Sequence, residues 1–358
     1  MPDEKTFKLL KKYIDLFLKG KSKEDIFTYF LEIKKFALHY VMSYELEGEI
    51  YLVLDNCIIQ AIKHRKSQPH RAVQAEAYLT FCNFVKYWSD RATYLAISPM
   101  AIYEHLGRKV PPTLSEVHNT LIELNSILSS AGLEIRYINF RDAKSLYPIL
   151  LNIVHDERIL TEYIKDIDKV SWKTDLAAPR GVKIPISIAA KSLPTLPPLK
   201  YFDPWYVHFV LSGRVEQYII NQSKHNPNAM PISSGELSIL FSKLNKFRKK
   251  TTLQGLGDID IFQICDVCSQ YERKATHFFI GQSLDETLSK VLFRRHTLHV
   301  SSEIVVGGAP DQEEKISNLV QFMFSKPFEE NEIRRQKIQP KFINFMEFIT
   351  QICLENID

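Results

Sequence analysis

The sequence predicts an α/β protein built around a parallel sheet. Short apolar runs without polar alternation, at residues 50–54 and 94–97, are typical of strands buried on both faces of such a sheet. Helical patterns follow both runs, at about residues 71–88 and at residues 100–106. Ser98-Pro99 supplies a strong helix start, with serine as the N-cap and proline at the first helical position. The alternation of strand and helix is the order expected of an α/β fold.

Composition narrows the class of protein further. The chain has 358 residues, of which 45% are apolar and 25% are charged, and its net charge is +4. This apolar share can support a packed core, which excludes a disordered polyampholyte and a small disulfide-stapled fold. The five cysteines are odd in number and lie in or beside apolar runs, which favours free thiols in a reducing compartment. No signal peptide or membrane span is predicted, so we expect a cytoplasmic protein.

The helical and strand patterns divide the chain into five parts. We expect an N-terminal helical segment, a first part of the core, a mainly helical insertion with a proline-rich wrap, a second part of the core, and C-terminal helices. These parts span residues 1–48, 49–110, 111–250, 251–306 and 307–358. Within the insertion, residues 133–138 suit a short strand. Within the second part of the core, residues 276–280 and 298–306 suit strands.

Acidic residues follow the predicted strands of the core. Asp55 comes directly after the first strand, and Glu104 lies one and a half turns into the helix after the second. Asp258 and Asp260 begin a later helix, and Asp285 follows the strand at 276–280. Parallel strands place their carboxyl ends at one edge of the sheet, where α/β proteins carry their sites. A cluster of carboxylates there favours a hard divalent cation such as Mg²⁺, which offsets the mutual repulsion of the acids.

Three of these acidic segments resemble the successive motifs of PIN-like nucleases. The segments are residues 52–56 (LVLDN), 97–104 (ISPMAIYE) and 257–261 (GDIDI), and the resemblance covers about residues 49–110 and 251–306. It implies a three-layer α/β/α core with a central parallel sheet. It also implies a Mg²⁺- or Mn²⁺-dependent nuclease that acts on RNA or single-stranded nucleic acid, in a family with many bacterial toxins and phage-defence proteins.

Carried over by position, the resemblance implies that Asp55, Glu104 and Asp260 bind metal and serve catalysis, with Asp258 a further ligand. The chain departs from the family pattern at Cys57, where asparagine or serine is frequent. It departs again after the strand at 276–280, where either Gln282 replaces the fourth acid or Asp285 supplies it from a shifted position.

Each acid also has a structural alternative. Asp258, Asp260 and Asp285 are residue types that helices favour at their N-caps and first turns, and Asp55 could simply end a strand. The pair Cys265 and Cys268 has the CxxC spacing of zinc and redox sites, but a lone pair inside a helical pattern also suits buried thiols.

The densest basic run of the chain precedes the third acidic motif. Its members are Lys243, Lys246, Arg248, Lys249 and Lys250. Such a run can contact the phosphates of a nucleic acid substrate, or it can be a solvated helix end. The sequence therefore predicts a metal-dependent nuclease, more readily of RNA. The alternative is a catalytically inactive PIN-like module whose core and helical insertion bind a protein or nucleic acid partner.

Overall fold

The computed structural model describes residues 3–43, 48–108, 112–169, 197–204, 207, 256–265, 277–286, 288, 289, 292 and 328–357. Four strands form one sheet: β1 (Glu49–Leu54), β2 (Thr93–Ile97), β3 (Ile135–Tyr137) and β4 (His277–Gln282). Their order across the sheet is β3-β2-β1-β4, and every neighbouring pair is parallel. The predicted α/β class with a parallel sheet is confirmed.

Helices surround the sheet and account for most of the described residues. In chain order they are α1 (Glu4–Leu18), α2 (Lys23–Ser43), α3 (Asn56–His64), α4 (Pro69–Trp88), α5 (Pro99–His105), α6 (Leu114–Leu128), α7 (Ala143–Lys169), α8 (Leu256–Ile264) and α9 (Phe328–Ile357). This arrangement is compatible with a three-layer α/β/α fold.

The sheet is buried because its strands carry apolar residues in succession. In β1, Ile50, Leu52, Val53 and Leu54 are fully buried, as expected for a central strand with parallel neighbours on both sides. The register pairs Leu54 with Gln282 of β4. The last residues of the two strands therefore lie side by side, and the chain leaves both strands at the same edge.

The first and last helices, α1 and α9, pack on α4. Trp88 at the end of α4 contacts Phe345 of α9 with ring centroids 5.1 Å apart, and Phe7 of α1 with centroids 5.3 Å apart. Phe84 also contacts Phe345, at 4.8 Å. Aromatic pairs at these separations are favourable beyond the area that they bury. The two ends of the chain are thus tied to α4 and cover one side of the core.

Local sequence signals set several element boundaries as expected. Ser98 caps α5 by accepting a hydrogen bond from the amide of Ala101, and Thr113 forms a capping box with Glu116 at the start of α6. Residues 133–138 contain β3, which pairs with β2. The sheet therefore extends into the segment that the sequence assigns to the insertion.

Three elements differ from the sequence expectation. Helix α3 is not anticipated, although Asp55 caps it. Helix α7 continues through Pro148, its sixth residue, although the sequence pattern favours a kink there because proline cannot donate an amide hydrogen bond within the helix. Strand β4 runs two residues beyond the predicted end, to Gln282. This extension decides which residue follows the strand at the edge of the sheet.

Several predicted features lie outside the described residues. They are the strand at 298–306, the proline-rich passage up to residue 196, Cys268 of the CxxC pair and the basic run at 243–250. Cys57, Cys82, Cys265 and Cys353 are free thiols, and all but Cys57 are buried. Among the helices described, none is long and apolar enough to cross a membrane.

Candidate carboxylate site

Polar residues directly follow three of the four parallel strands. Asp55 follows β1, Ser98 follows β2 and Ser283 follows β4. Because β1 lies between β2 and β4 and all three run the same way, these residues share the carboxyl edge of the sheet. Asp55 lies at the centre of this row, as its position after the apolar run of β1 predicts.

The Asp55 carboxylate is held by the loop that follows β4. Its Oδ2 accepts hydrogen bonds from Ser283 Oγ at 2.6 Å and from Cys57 Sγ at 2.8 Å. Among the described residues, its Oδ1 has a single long contact, of 3.5 Å, with the amide of Cys57. Burial, together with the Asp55 charge, raises the pKa of the Cys57 thiol well above its usual range. Cys57 therefore stays protonated and serves as a donor to the acid, rather than as a nucleophile.

Glu104 reaches the same edge from the last turn of α5. Its Oε1 accepts a hydrogen bond from Nη2 of Arg108 at 2.8 Å, and Arg108 also bridges to Glu157 of α7, at 3.4 Å. Arg108 has a φ of 56°, a left-handed conformation that is unfavourable for a non-glycine residue. The two ion pairs hold its guanidinium between Glu104 and Glu157.

The other side of the Glu104 carboxylate lies against the start of α8. A Cβ atom built on Gly257 would lie 3.0 Å from both of its oxygens, so the absence of a side chain at 257 makes room for the acid. Burial raises the pKa of Glu104, Arg108 opposes the rise, and the nearby Asp55 charge adds to it.

Asp260 lies in α8 and its side chain is 1% exposed. Its Oδ1 accepts a hydrogen bond from the Tyr201 hydroxyl at 2.7 Å, whereas its Oδ2 is buried and has no hydrogen-bond partner among the described residues. Burial raises its pKa to about 7; the Ser98 and Tyr201 hydroxyls oppose this rise and the Glu104 charge adds to it. The Ser98 hydroxyl lies close enough to lower the pKa of Asp260, although no hydrogen bond to Oδ2 is found among the described residues.

The three acids form an electrostatically coupled group at one edge of the sheet. Asp55 acts on Glu104, and Glu104 acts on Asp260. In each acid one oxygen has a short hydrogen bond from the protein, and no comparably short bond to the other is found in the described part of the chain. This pattern fixes each carboxylate and leaves an oxygen for a further ligand.

The oxygen atoms of the three acids are of the kind that binds a divalent cation, but the side chains are not grouped in a metal-binding geometry. The acids offer hard oxygen donors, which Mg²⁺ and Mn²⁺ prefer, and the unpartnered Oδ2 of Asp260 is the kind of buried atom that a cation satisfies. However, in the described ranges no three histidine, cysteine, aspartate or glutamate side chains stand close enough together to hold a metal ion. Arg108 occupies one oxygen of Glu104 in this arrangement.

The remaining predicted acids, Asp258 and Asp285, lie at helix starts. Asp285 accepts a hydrogen bond from the amide of Leu288 at 3.1 Å, so its carboxylate caps the helix that starts at Glu286. Asp258 lies in the first turn of α8, where an acid is favourable. Gln282, at the end of β4, is 1% exposed, and its amide nitrogen donates to the Gly281 carbonyl. Ser283, rather than Gln282 or Asp285, reaches Asp55.

Sequence reasoning missed four residues of this site: Ser283, Arg108, Gly257 and Tyr201. Ser283 could have been found if β4 had been extended by two residues. Tyr201 lies 59 positions from Asp260 in the sequence, and no local pattern connects the two. The predicted nucleic-acid-binding run (Lys243, Lys246, Arg248, Lys249 and Lys250) lies outside the described residues. No protein-family model, curated protein or solved structure matches this chain.

Proposed function

We propose that this protein hydrolyses phosphodiester bonds of nucleic acid, RNA in the first place, with Mg²⁺ or Mn²⁺ at Asp55, Glu104 and Asp260. The observation that carries the proposal is the placement of these acids at the carboxyl edge of a parallel sheet, where Asp55 follows the central strand and Glu104 lies against the start of the helix that carries Asp260. The sequence resemblance to PIN-like nucleases supports it independently, because it selects the same three acids.

The acids would hold the cation through the oxygens that the protein leaves without a short hydrogen bond. When bound, a divalent cation activates a water molecule and stabilises the charge on the leaving oxygen of a phosphodiester. Ser283 and Cys57 fix the orientation of Asp55, and Tyr201 fixes that of Asp260. Arg108 offsets the negative charge of Glu104 and lowers the cost of keeping the acids together.

Cleavage assays with labelled single-stranded RNA, single-stranded DNA and duplex DNA test this proposal, with Mn²⁺ or Mg²⁺ added or chelated. We expect metal-dependent cleavage of RNA that is lost in Asp55→Asn and Asp260→Asn. The matched control is Glu134→Gln, because Glu134 is an exposed acid directly before β3, at the opposite edge of the sheet. Equal cleavage by the two site variants and the control would contradict the proposal.

A second candidate is an inactive PIN-like module that binds a partner without cleaving it. The ion pair of Glu104 with Arg108 favours it, as does the glutamine at the end of β4. Under this reading, fluorescence anisotropy would show that the protein binds single-stranded RNA with equal affinity in Mn²⁺ and in chelator, and no product would form. Metal-dependent cleavage by the unchanged chain would exclude it.

A further inference from the structure

The first helix, α1, carries large apolar side chains on two different sides. The side around Ile14 is fully buried in the core. On another side, Leu9, Tyr13 and Leu16 are 60%, 45% and 65% exposed. Single exposed apolar residues are common on protein surfaces, but residues three and four positions apart are neighbours along one line of a helix. We call this line of Leu9, Tyr13 and Leu16 the outer seam.

A row of lysines runs along one side of the outer seam. Lys5, Lys12 and Lys19 are exposed and stand seven residues apart, a spacing that keeps all three on the same side of a helix. In the described part of the chain, none of the three forms an ion pair. Their charges are therefore available to a partner that approaches the seam.

The acids of α1 are engaged away from the outer seam. A carboxylate oxygen of Glu4 lies 2.6 Å from Nζ of Lys8, and Asp15 accepts a hydrogen bond from the side chain of Asn356 in α9, at 3.1 Å. Neither acid neutralises the lysine row, so the seam has a positive flank.

The other flank of the seam is fixed to α4. The Tyr13 hydroxyl donates a hydrogen bond to Glu76 of α4, and Nε of Arg65 lies 3.6 Å from the second oxygen of Glu76. Arg65 therefore offsets the charge of Glu76 beside the seam. The bond to Glu76 holds the Tyr13 ring in place while part of that ring stays exposed, which is typical of a preorganised contact residue.

The shape of the seam favours a helix as its occupant. Its apolar line is one side chain wide, which is the width of a coiled-coil seam. A helix that lies in a membrane surface needs a broad apolar face, and the broad face of α1 is buried in the core. The flanking charges of such a seam select the partner, and lysines select acids.

A second copy of the same seam does not fit. In an antiparallel pair of α1 helices, the two lysine rows would face each other, and like charges there are unfavourable. In a parallel pair, each lysine row would face the positions of Leu10 and Phe17, which pack into the core. The occupant must therefore bring acids of its own.

We propose that the outer seam of α1 docks an acidic amphipathic helix of a partner protein. Leu9, Tyr13 and Leu16 pack against the apolar residues of that helix, and the lysine row pairs with its acids. Because α1 has 15 residues, the seam is about 22 Å long, and the interface is small and transient. The proposal is independent of the proposed function, since the carboxylate site takes no part in it.

The test measures fluorescence anisotropy of a labelled synthetic peptide with the full chain. The probe is a helical peptide with leucines along one seam and glutamates on both sides of it, and the matched probe has lysines in place of the glutamates. One variant combines Leu9→Gln with Leu16→Gln, and its control is Ile122→Gln, at a side chain of α6 that is 57% exposed. A second variant combines Lys5→Glu, Lys12→Glu and Lys19→Glu. Circular dichroism and a thermal melt confirm that each variant is folded.

We expect the unchanged chain and the control to bind the glutamate peptide and not the lysine peptide, and added salt to weaken this binding because it screens the charges. The leucine variant should bind at least about tenfold more weakly, since truncated anchor residues dominate the energy of an interface. The lysine variant should lose the glutamate peptide and bind the lysine peptide instead. If the leucine variant does not fold, this exchange of partners decides the question.

Three results would overturn the proposal. The first is a failure of the unchanged chain to distinguish the two peptides, and the second is equal affinity of the leucine variant and the control for the glutamate peptide. The third is a different occupant of the seam. It would be shown by a dimer in sedimentation equilibrium that the leucine variant loses, or by binding to vesicles of phosphatidylcholine and phosphatidylglycerol without binding to the peptide. RNA cleavage is measured separately, so the nuclease proposal can stand or fail without affecting this result.

Discussion

Replacing Gly257 with alanine should separate the stability of the protein from the geometry of its acidic site. Gly257 is the second residue of α8 and does not have a positive φ, so alanine fits the backbone. At a compatible helical position this change stabilises a protein by about 0.4–1 kcal/mol. The new methyl group, however, would lie 3.0 Å from both carboxylate oxygens of Glu104.

The size of the change in stability follows from the distance between this methyl group and the Glu104 carboxylate. Ordinary van der Waals contact begins at 3.4 Å, so the carboxylate of Glu104 must withdraw by about 0.4 Å. This withdrawal disturbs the 2.8 Å bond to Arg108, and hydrogen bonds to charged groups contribute about 1.5–3 kcal/mol. Losing a part of that, about 1 kcal/mol, cancels the gain in helix propensity. We therefore expect almost no net change in stability from Gly257→Ala in the native background.

A double-mutant cycle with Glu104→Ala measures the contact directly. In that background the methyl group has no carboxylate to displace, so Gly257→Ala should raise the free energy of unfolding by about 0.4–1 kcal/mol. Urea denaturation followed by circular dichroism gives the four free energies. The difference between the two backgrounds is then about 0.4–1 kcal/mol, to be compared with the deviation of about 0.3–0.5 kcal/mol found for independent sites. The same effect of Gly257→Ala in both backgrounds would refute the placement of Glu104 against α8.

Two further predictions concern the buried charge and the aromatic core. The pKa of Asp260 is raised to about 7 by burial, so the native state retains a proton that the unfolded chain releases near pH 4. The stability of the metal-free protein should thus fall by up to about 4 kcal/mol between pH 4 and pH 7. Urea denaturation across this range should show a shallower fall in Asp260→Asn. An equal fall in both proteins would contradict the raised pKa of Asp260. Phe345→Ala should destabilise the protein by about 3–5 kcal/mol. The control is Ile343→Ala, at a side chain that is 45% exposed on the same helix, and it should cost less than about 1 kcal/mol. Comparable losses of stability in thermal melts of the two variants would contradict the packing of α9 on the core.

The core elements could be predicted because their signals are local. The run at residues 50–54 has no polar residue to face solvent, and Ser98-Pro99 specifies a helix start through the cap and the fixed φ of proline. Asp55 could be identified because it directly follows such an element. The sequence places Asp260 at the start of a helix, whereas it is the fifth residue of α8, which begins at Leu256. The parallel sheet brings the ends of separate strands to a common edge.

The partners of these acids could not be predicted, since they depend on contacts between distant parts of the chain. Ser283 is 228 positions from Asp55, and it can donate to Asp55 because β4 continues to Gln282, beyond the end that the sequence predicts. Arg108 is an exception, because it stands four residues after Glu104, a spacing that by itself favours an ion pair. Cys57, a departure from the family pattern, donates a hydrogen bond to Asp55, and thereby takes a role that a hydroxyl or amide side chain could also perform.

The arrangement changes how the inserted part of the chain should be regarded. The acids come from elements before and after the insertion, but Asp156 and Tyr201 lie within it. The Tyr201 hydroxyl donates to Asp260, and Asp156 accepts a hydrogen bond from the amide of Tyr201. A core that lacked residues 111–250 would lose the edge strand β3, the helix that carries Asp156 and the hydroxyl that fixes Asp260. Insertion and core therefore cannot be assigned to separate tasks, because the orientation of one acid of the core is determined by a segment of the insertion.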